Sequence, residues 1–156
     1  MTSSTHNISM TLNGEKTNAL VEAHTLLIDF LRDAQNLRGV KRSCDMQICG
    51  ACTVLVGDHP VSSCTMLAVD ADGADVVTIE GLGDRDNLDP VQEAFLAFGA
   101  LQCGFCTPGM ILATKALLFS NPTPSRAEIE HHLSGNICRC TGYQKIIEAV
   151  ESLAQT

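Results

Sequence analysis

Eight cysteines fall into two sets of four, and a chain of 156 residues has to fold around them. Cys44, Cys49, Cys52 and Cys64 read Cys-x4-Cys-x2-Cys-x11-Cys; Cys103, Cys106, Cys138 and Cys140 read Cys-x2-Cys-x31-Cys-x-Cys. One set falls in each half. A half of roughly 75 residues buries only a marginal core, and small domains of that kind often rely on a metal staple. With 45% apolar and 18% charged residues, the composition is that of a globular chain rather than a disordered one. No apolar run approaches the length of a membrane span. The stretch Met1-Thr2-Ser3-Ser4-Thr5-His6-Asn7 carries neither an apolar h-region nor a twin arginine, so the expected compartment is the cytoplasm. Structural disulfides are rare there, which makes the cysteines candidate metal ligands. The net charge of -8 argues against a nucleic-acid partner, and the short basic stretch Val40-Lys41-Arg42-Ser43 reads as a solvated loop.

The first three positions of the first set carry the plant-type spacing of a 2Fe–2S cluster. A second complete quartet predicts a second cluster, and two one-electron centres in series make an electron-transfer chain. Zinc is the competing reading, because all-cysteine zinc sites also use Cys-x2-Cys pairs. Spacing alone leaves zinc open for the second quartet, whereas the unequal x4, x2 and x11 gaps of the first favour iron–sulfur. Gly50 follows Cys49 and Gly104 follows Cys103, which lets the backbone wrap close to sulfur and turn N–H groups toward it. The five histidines form no ligand set; His131-His132 fall on a predicted helix, in a surface or packing role. There is no Ser–His–Asp arrangement, P-loop or GxGxxG fingerprint, so no catalytic residue is assigned.

The first half reads as β-rich. Ile8, Met10 and Leu12 alternate with polar residues, Asn13-Gly14 is a hairpin signal, and a second strand is predicted from Thr17 to Val21. Thr25 is expected to cap a short helix carrying Leu27, Phe30 and Leu31. Strands are predicted over 53–56 and 61–64, around the turn Gly57-Asp58-His59-Pro60, and over 76–79. The run from Gly81 to Leu88 is the internal boundary, dividing residues 1–82 from a helical unit, 83–156. Four helices are predicted there. Asp89-Pro90 starts the first, with Val91, Ala94, Phe95, Phe98 and Leu101 as its apolar stripe. Thr107-Pro108 starts a helix bearing Met110, Ala113, Thr114 and Leu117, and Thr123-Pro124 starts the third. Thr141 starts a fourth, with Ile146, Ile147, Val150 and Leu153 on one side. Cys106 and Cys140 then immediately precede helix starts, where free N–H groups stabilise thiolates. Two helix pairs related by an approximate two-fold, with a cluster between them, are expected. Stripes such as Phe95, Phe98, Leu117 and Leu118 are expected to leave apolar surface uncovered.

Three segments carry a family resemblance. Residues 43–54 (Ser-Cys-Asp-Met-Gln-Ile-Cys-Gly-Ala-Cys-Thr-Val) resemble the first-cluster motif of molybdenum hydroxylases, the xanthine oxidase family. Residues 102–110 (Gln-Cys-Gly-Phe-Cys-Thr-Pro-Gly-Met) resemble the second motif and residues 135–143 (Gly-Asn-Ile-Cys-Arg-Cys-Thr-Gly-Tyr) the third. The order is kept, and the chain is similar to the separate small iron–sulfur subunit of bacterial members. The resemblance implies an α+β chain: a plant-ferredoxin-like β-grasp domain, then a four-helix domain with pseudo-two-fold symmetry. It implies two 2Fe–2S clusters, a large subunit with a molybdopterin-type molybdenum cofactor and a medium subunit with FAD. This chain then connects the two, in a heterotrimer or a dimer of heterotrimers. It also implies that the Cys103/Cys106/Cys138/Cys140 cluster lies nearer molybdenum, with Gln102 and Cys140 close to the pterin, and the Cys44/Cys49/Cys52/Cys64 cluster nearer FAD. Ser43 and Gln47 stand where the family more often has glycine, which implies a loop conformation and N–H pattern of its own around the first cluster. A sibling group delivers electrons to cytochromes and tends to carry Cys-Gly-Thr-Tyr where this chain has Cys140-Thr141-Gly142-Tyr143, so the chain resembles the FAD-linked type. A free-standing ferredoxin-type carrier is the other alternative.

Overall fold

The computed structural model describes residues 4–154; Met1, Thr2 and Ser3 of the stretch read for an export signal lie outside them. Strands β1 (Thr5–Leu12) and β2 (Glu15–Glu22) pair antiparallel from Thr5 opposite Glu22 to Leu12 opposite Glu15. Asn13 and Gly14 form the turn with φ of 51° and 85°, the left-handed pair that matches strand twist. Strands β3 (Thr53–Val56), β4 (His59–Ser62) and β5 (Asp75–Val77) complete a mixed sheet in the order β2-β1-β5-β3-β4, with β1 and β5 parallel. Helix α1 (Leu27–Asp29) runs into a π-helical turn, Phe30–Ala34. Its Leu27, Ile28, Phe30 and Leu31 form one core with Ile8, Met10, Leu12, Val54 and Val76, the inward residues of the strands. Cys52 and Cys64 belong to that core.

Several boundaries in the first half differ from the sequence reading. Leu26, not Thr25, stands at the N-cap of α1, and no side chain caps it; the Thr25 carbonyl instead accepts from the Ala68 amide at 2.8 Å. The β3–β4 turn is only Gly57-Asp58, so β4 starts at His59 and includes Pro60. Proline is tolerated because β4 is an edge strand, and Cys64 is left beyond its end. Strand β5 stops at Val77, because the Thr78 amide is taken by the Asn13 side chain at 2.8 Å and Ile79–Gly81 tightens into a 3-10 turn.

The second half holds α2 (Pro90–Ala97), α3 (Thr107–Ser120), α4 (Arg126–Leu133) and α5 (Gln144–Leu153). Asp89 and Gln92 form a capping box at α2, as do Ser125 and Glu128 at α4. The latter box, rather than Thr123-Pro124, fixes where α4 begins. Helix α5 begins after Tyr143, which is left-handed at φ 68°, so Cys140 does not immediately precede a helix start. Thr141 turns back toward Cys138 instead. Helix α2 ends before Phe98, and Ala100, rather than Leu101, is buried.

Helix α3 is apolar on every side, which fits its burial between two layers. Met110, Ala113 and Leu117 join the helical core, while Leu112 and Ala116 pack against Leu55 of β3. Phe95 and Leu117 are therefore covered, contrary to expectation, whereas Phe98 is exposed as expected. Of the large exposed apolar side chains, Met46, Ile48, Phe105 and Ile137 lie in the cysteine loops, and Leu20, Leu96, Phe98 and Phe119 lie elsewhere.

Candidate metal centres

Cys44 and Cys49 stand on the irregular segment between the π-helical turn and β3; Cys52 is the residue before β3 and Cys64 lies two residues after β4. The loop curls because Asp45, Gln47 and Gly50 are left-handed, with φ of 54°, 60° and 66°. Amides are thereby turned inward: those of Met46, Ile48 and Cys49 donate to the Cys44 sulfur, the last at 3.4 Å, and hold that thiol down at about 6. Gln47, one of the two departures from glycine, adopts the glycine-like conformation and accepts from the Thr65 hydroxyl at 3.2 Å, bracing the loop beside Cys64. Arg42 anchors the other end, donating to Asp45 at 3.1 Å and pairing with Asp29. Ser43, the second departure, is exposed. Cys52 and Cys64 are buried; burial pushes the Cys52 thiol up to about 11, against the Cys64 amide that donates to it.

The second set comes from two loops. Cys103 and Cys106 lie between α2 and α3, Cys138 and Cys140 between α4 and α5. Gly104, at φ 79°, turns the first loop, and Cys106 is the N-cap of α3. Cys103 and Cys140 are exposed, with their sulfurs 3.6 Å apart. Cys106 and Cys138 form the inner pair. Burial, reinforced by Cys138, pushes the Cys106 thiol up to about 12. Burial opposes ionisation of Cys138 as well, but the Thr141 hydroxyl at 3.1 Å, the Thr141 amide and the Cys140 amide bring it below its ordinary value. Tyr143 accepts the Cys138 amide on its hydroxyl at 2.8 Å. Sequence reading gave Thr141 only a helix start and Tyr143 no role at the site; their place in the segment that follows Cys140 was the available signal.

Each set is thus two pairs of thiols, Cys44/Cys49 with Cys52/Cys64 and Cys103/Cys140 with Cys106/Cys138. Among the described residues, no three His, Cys, Asp or Glu side chains converge as a single metal ion needs. A cleft of about 240 Å³ is lined by all four cysteines of the second set together with Cys49 of the first. Gln102 is exposed beside Cys103. His132 packs inward with its ring 3.0 Å from the Ala113 carbonyl, and His131 is exposed. No helix among the described residues is long and apolar enough to cross a membrane.

Residues 10–77 match the family described as "2Fe-2S iron-sulfur cluster binding domain" and residues 78–151 the one described as "[2Fe-2S] binding domain". The chain is 48% identical over 143 residues to the nicotinate dehydrogenase small FeS subunit of Eubacterium barkeri, covering 92% of this chain and 91% of that one. It is 47% identical to the nicotine 6-hydroxylase small subunit of Paenarthrobacter nicotinovorans, over 92% of this chain and 86% of the relative. Among solved structures, a chain of quinoline 2-oxidoreductase from Pseudomonas putida 86 superposes with a TM-score of 0.93 at 43% identity, over 97% of this chain and 94% of that one. The likeness runs through both halves and both cysteine sets, and the chain belongs to the small 2Fe–2S subunits of molybdenum hydroxylases and dehydrogenases, the xanthine oxidase family.

Proposed function

We propose that this chain links a molybdopterin centre in a large subunit to FAD in a medium subunit. In that role Cys44, Cys49, Cys52 and Cys64 hold one 2Fe–2S cluster, and Cys103, Cys106, Cys138 and Cys140 hold the other. Each cluster, when bound, stores and releases one electron. The observation that carries the reading is the two-by-two pairing of thiols, with Cys140 and Cys103 3.6 Å apart and Cys106 against Cys138. Two irons need two thiolates each, whereas tetrahedral zinc draws four sulfurs around one point. The donor set fits in charge as well: the inward amides at Cys44 and the Thr141 hydroxyl at Cys138 stabilise thiolate.

Gln102 and Cys140, both exposed, face the molybdopterin side; the loop bearing Met46 and Ile48 faces the FAD subunit. Phe105 and Ile137, which are 45% and 47% exposed beside the second set, favour a covered subunit surface over a free-standing carrier. The two helix-borne loops, each giving two cysteines, support the approximate two-fold of the helical half and a division near residue 82. A cytoplasmic heterotrimer, or a dimer of heterotrimers, is the assembly proposed.

Iron and acid-labile sulfide analysis of the purified complex tests the cluster assignment. Two binuclear clusters require about four iron and about four sulfide per chain. Stoichiometric zinc in a colourless preparation overturns it. Co-purification with a molybdenum subunit and a flavin subunit tests the rest.

A further inference from the structure

The two cysteine sets meet along a seam built from residues outside both. The Ile137 amide donates to the Cys49 carbonyl at 2.9 Å, so the backbone beside Cys138 is hydrogen-bonded directly to Cys49. Between these cysteines the path is one carbonyl, one hydrogen bond and the backbone of Ile137. Asn136, buried, secures this contact from behind. Its side-chain amide donates to the Gly50 carbonyl at 3.0 Å and to the Thr53 hydroxyl oxygen at 3.3 Å. The Thr53 hydroxyl donates to the same Gly50 carbonyl at 2.8 Å. Two glycines make the approach feasible. A Cβ on Gly109 would lie 2.2 Å from the Gly50 oxygen, and one on Gly50 would lie 2.5 Å from both the Gly135 oxygen and the Asn136 amide nitrogen.

We infer that Asn136 is a positioning residue for electron passage between the two sites: by clasping Gly50 it holds the Cys49 carbonyl on the Ile137 amide. The inference rests on the function proposed above. One electron leaves the Cys103/Cys106/Cys138/Cys140 site as one arrives at the Cys44/Cys49/Cys52/Cys64 site; no bond forms or breaks and no proton moves. Asparagine suits the place chemically. It supplies two uncharged N–H donors where both nearby partners present oxygen, whereas aspartate would turn an acceptor toward the Gly50 carbonyl. Neither cysteine loop has regular secondary structure at the seam, so their spacing depends on such cross-links.

The test uses the intact complex with Asn136→Ala, Asn136→Asp and the pair Thr53→Val and Thr53→Ser. Iron and sulfide content, the spin–spin splitting of the fully reduced centres, exchange of the Ile137 amide and the inter-site transfer rate are measured. Iron content should be retained in all four. In Asn136→Ala and Asn136→Asp the splitting should shrink and the Ile137 amide should exchange faster. The transfer rate should fall by about tenfold, within the range that an ångström-scale misplacement of reacting groups costs. Thr53→Val should show the same trend, and Thr53→Ser, which keeps the hydroxyl, should restore wild-type behaviour. Unchanged splitting and rate in both Asn136 variants would overturn the inference while leaving the cluster assignment intact. Loss of iron from every variant would also overturn it, since Asn136 would then serve folding only. A wild-type complex without iron would overturn the proposed function and this inference with it.

Discussion

In the amino-terminal half, three of the four thiols stand within residues 44–52 and the fourth arrives at the end of one hairpin. In the carboxy-terminal half, two loops separated by α3 and α4 must be brought together before four thiols face one another. Both sites end with the same arrangement, a more accessible pair and a shielded pair. They differ in what orders them. The first is shaped by its own loop, through the left-handed turns at Asp45, Gln47 and Gly50 that aim amides at Cys44. The second is ordered by helix packing, α2 against α5 and α3 against α4. A metal bound at the second site therefore contributes to folding of the whole helical half, while one bound at the first ties down mainly a loop and a hairpin end.

Cysteine replacement probes that difference with the largest expected effect. Cys106→Ser should lower iron from about four to about two per chain and destabilise α2–α5 by several kcal/mol, on the order expected when a structural metal is lost. Cys49→Ser should remove the same amount of iron yet leave the helices protected in hydrogen exchange. In the complex it should let substrate reduce the remaining centres while turnover with the external acceptor collapses. Equal loss of helix protection in both variants would erase the contrast between the sites. Normal flavin reduction in Cys49→Ser would refute the serial order.

The next effect concerns where the halves touch. Gly109→Ala places a methyl 2.2 Å from the Gly50 oxygen, and overpacking of that kind costs about 1–3 kcal/mol. Gly99→Ala is the counterpart in open space, where only the left-handed φ of 60° opposes it. A denaturation midpoint lowered no further by Gly109→Ala than by Gly99→Ala would mean that the seam yields freely.

A third measurement separates the sites by acidity in chain stripped of iron. Thiolate is the reactive form, so Cys44, held down at about 6, should be the first thiol alkylated near pH 7. Its rate should fall by about tenfold toward pH 5, as the sulfur protonates below that value. Cys106 and Cys52, pushed up to about 12 and about 11, should stay inert over the same range. Peptide mapping that found Cys106 labelled before Cys44 would contradict the amide cradle.

Gln47→Gly should give the smallest change. Removing a left-handed non-glycine relieves about 1 kcal/mol of backbone cost, and losing the bond from Thr65 takes back a similar amount. A shift of about 1 kcal/mol in either direction would show that one of these two effects is absent.

Local chemistry made much of this legible in the sequence. Alternation at Ile8, Met10 and Leu12, the Asn13-Gly14 turn and the Asp89-Pro90 start act over a few residues, and each appears where the pattern implies. Short cysteine spacings, x4 and x2 in the first set and x2 and x in the two loops of the second, stood out for the same reason: they keep neighbouring thiols within a few residues of one another. The errors fell where a distant partner overrode local preference. Thr78 left the sheet because Asn13 took its amide, and Thr141 faced Cys138 rather than capping a helix. Phe95 and Leu117, exposed by the sequence reading, were covered when the helices packed.

The sequence by itself determined two sets of four cysteines, a β-rich half, a helical half and the kinship of the chain. Only the tertiary structure decided how the halves meet. The contact of Leu112 with Leu55, the clasp of Asn136 on Gly50 and the bond from Ile137 to Cys49 join residues more than fifty positions apart. No local propensity encodes such contacts; they exist because α3 buries one face on the helices and the other on β3, and two glycines let the cysteine loops close.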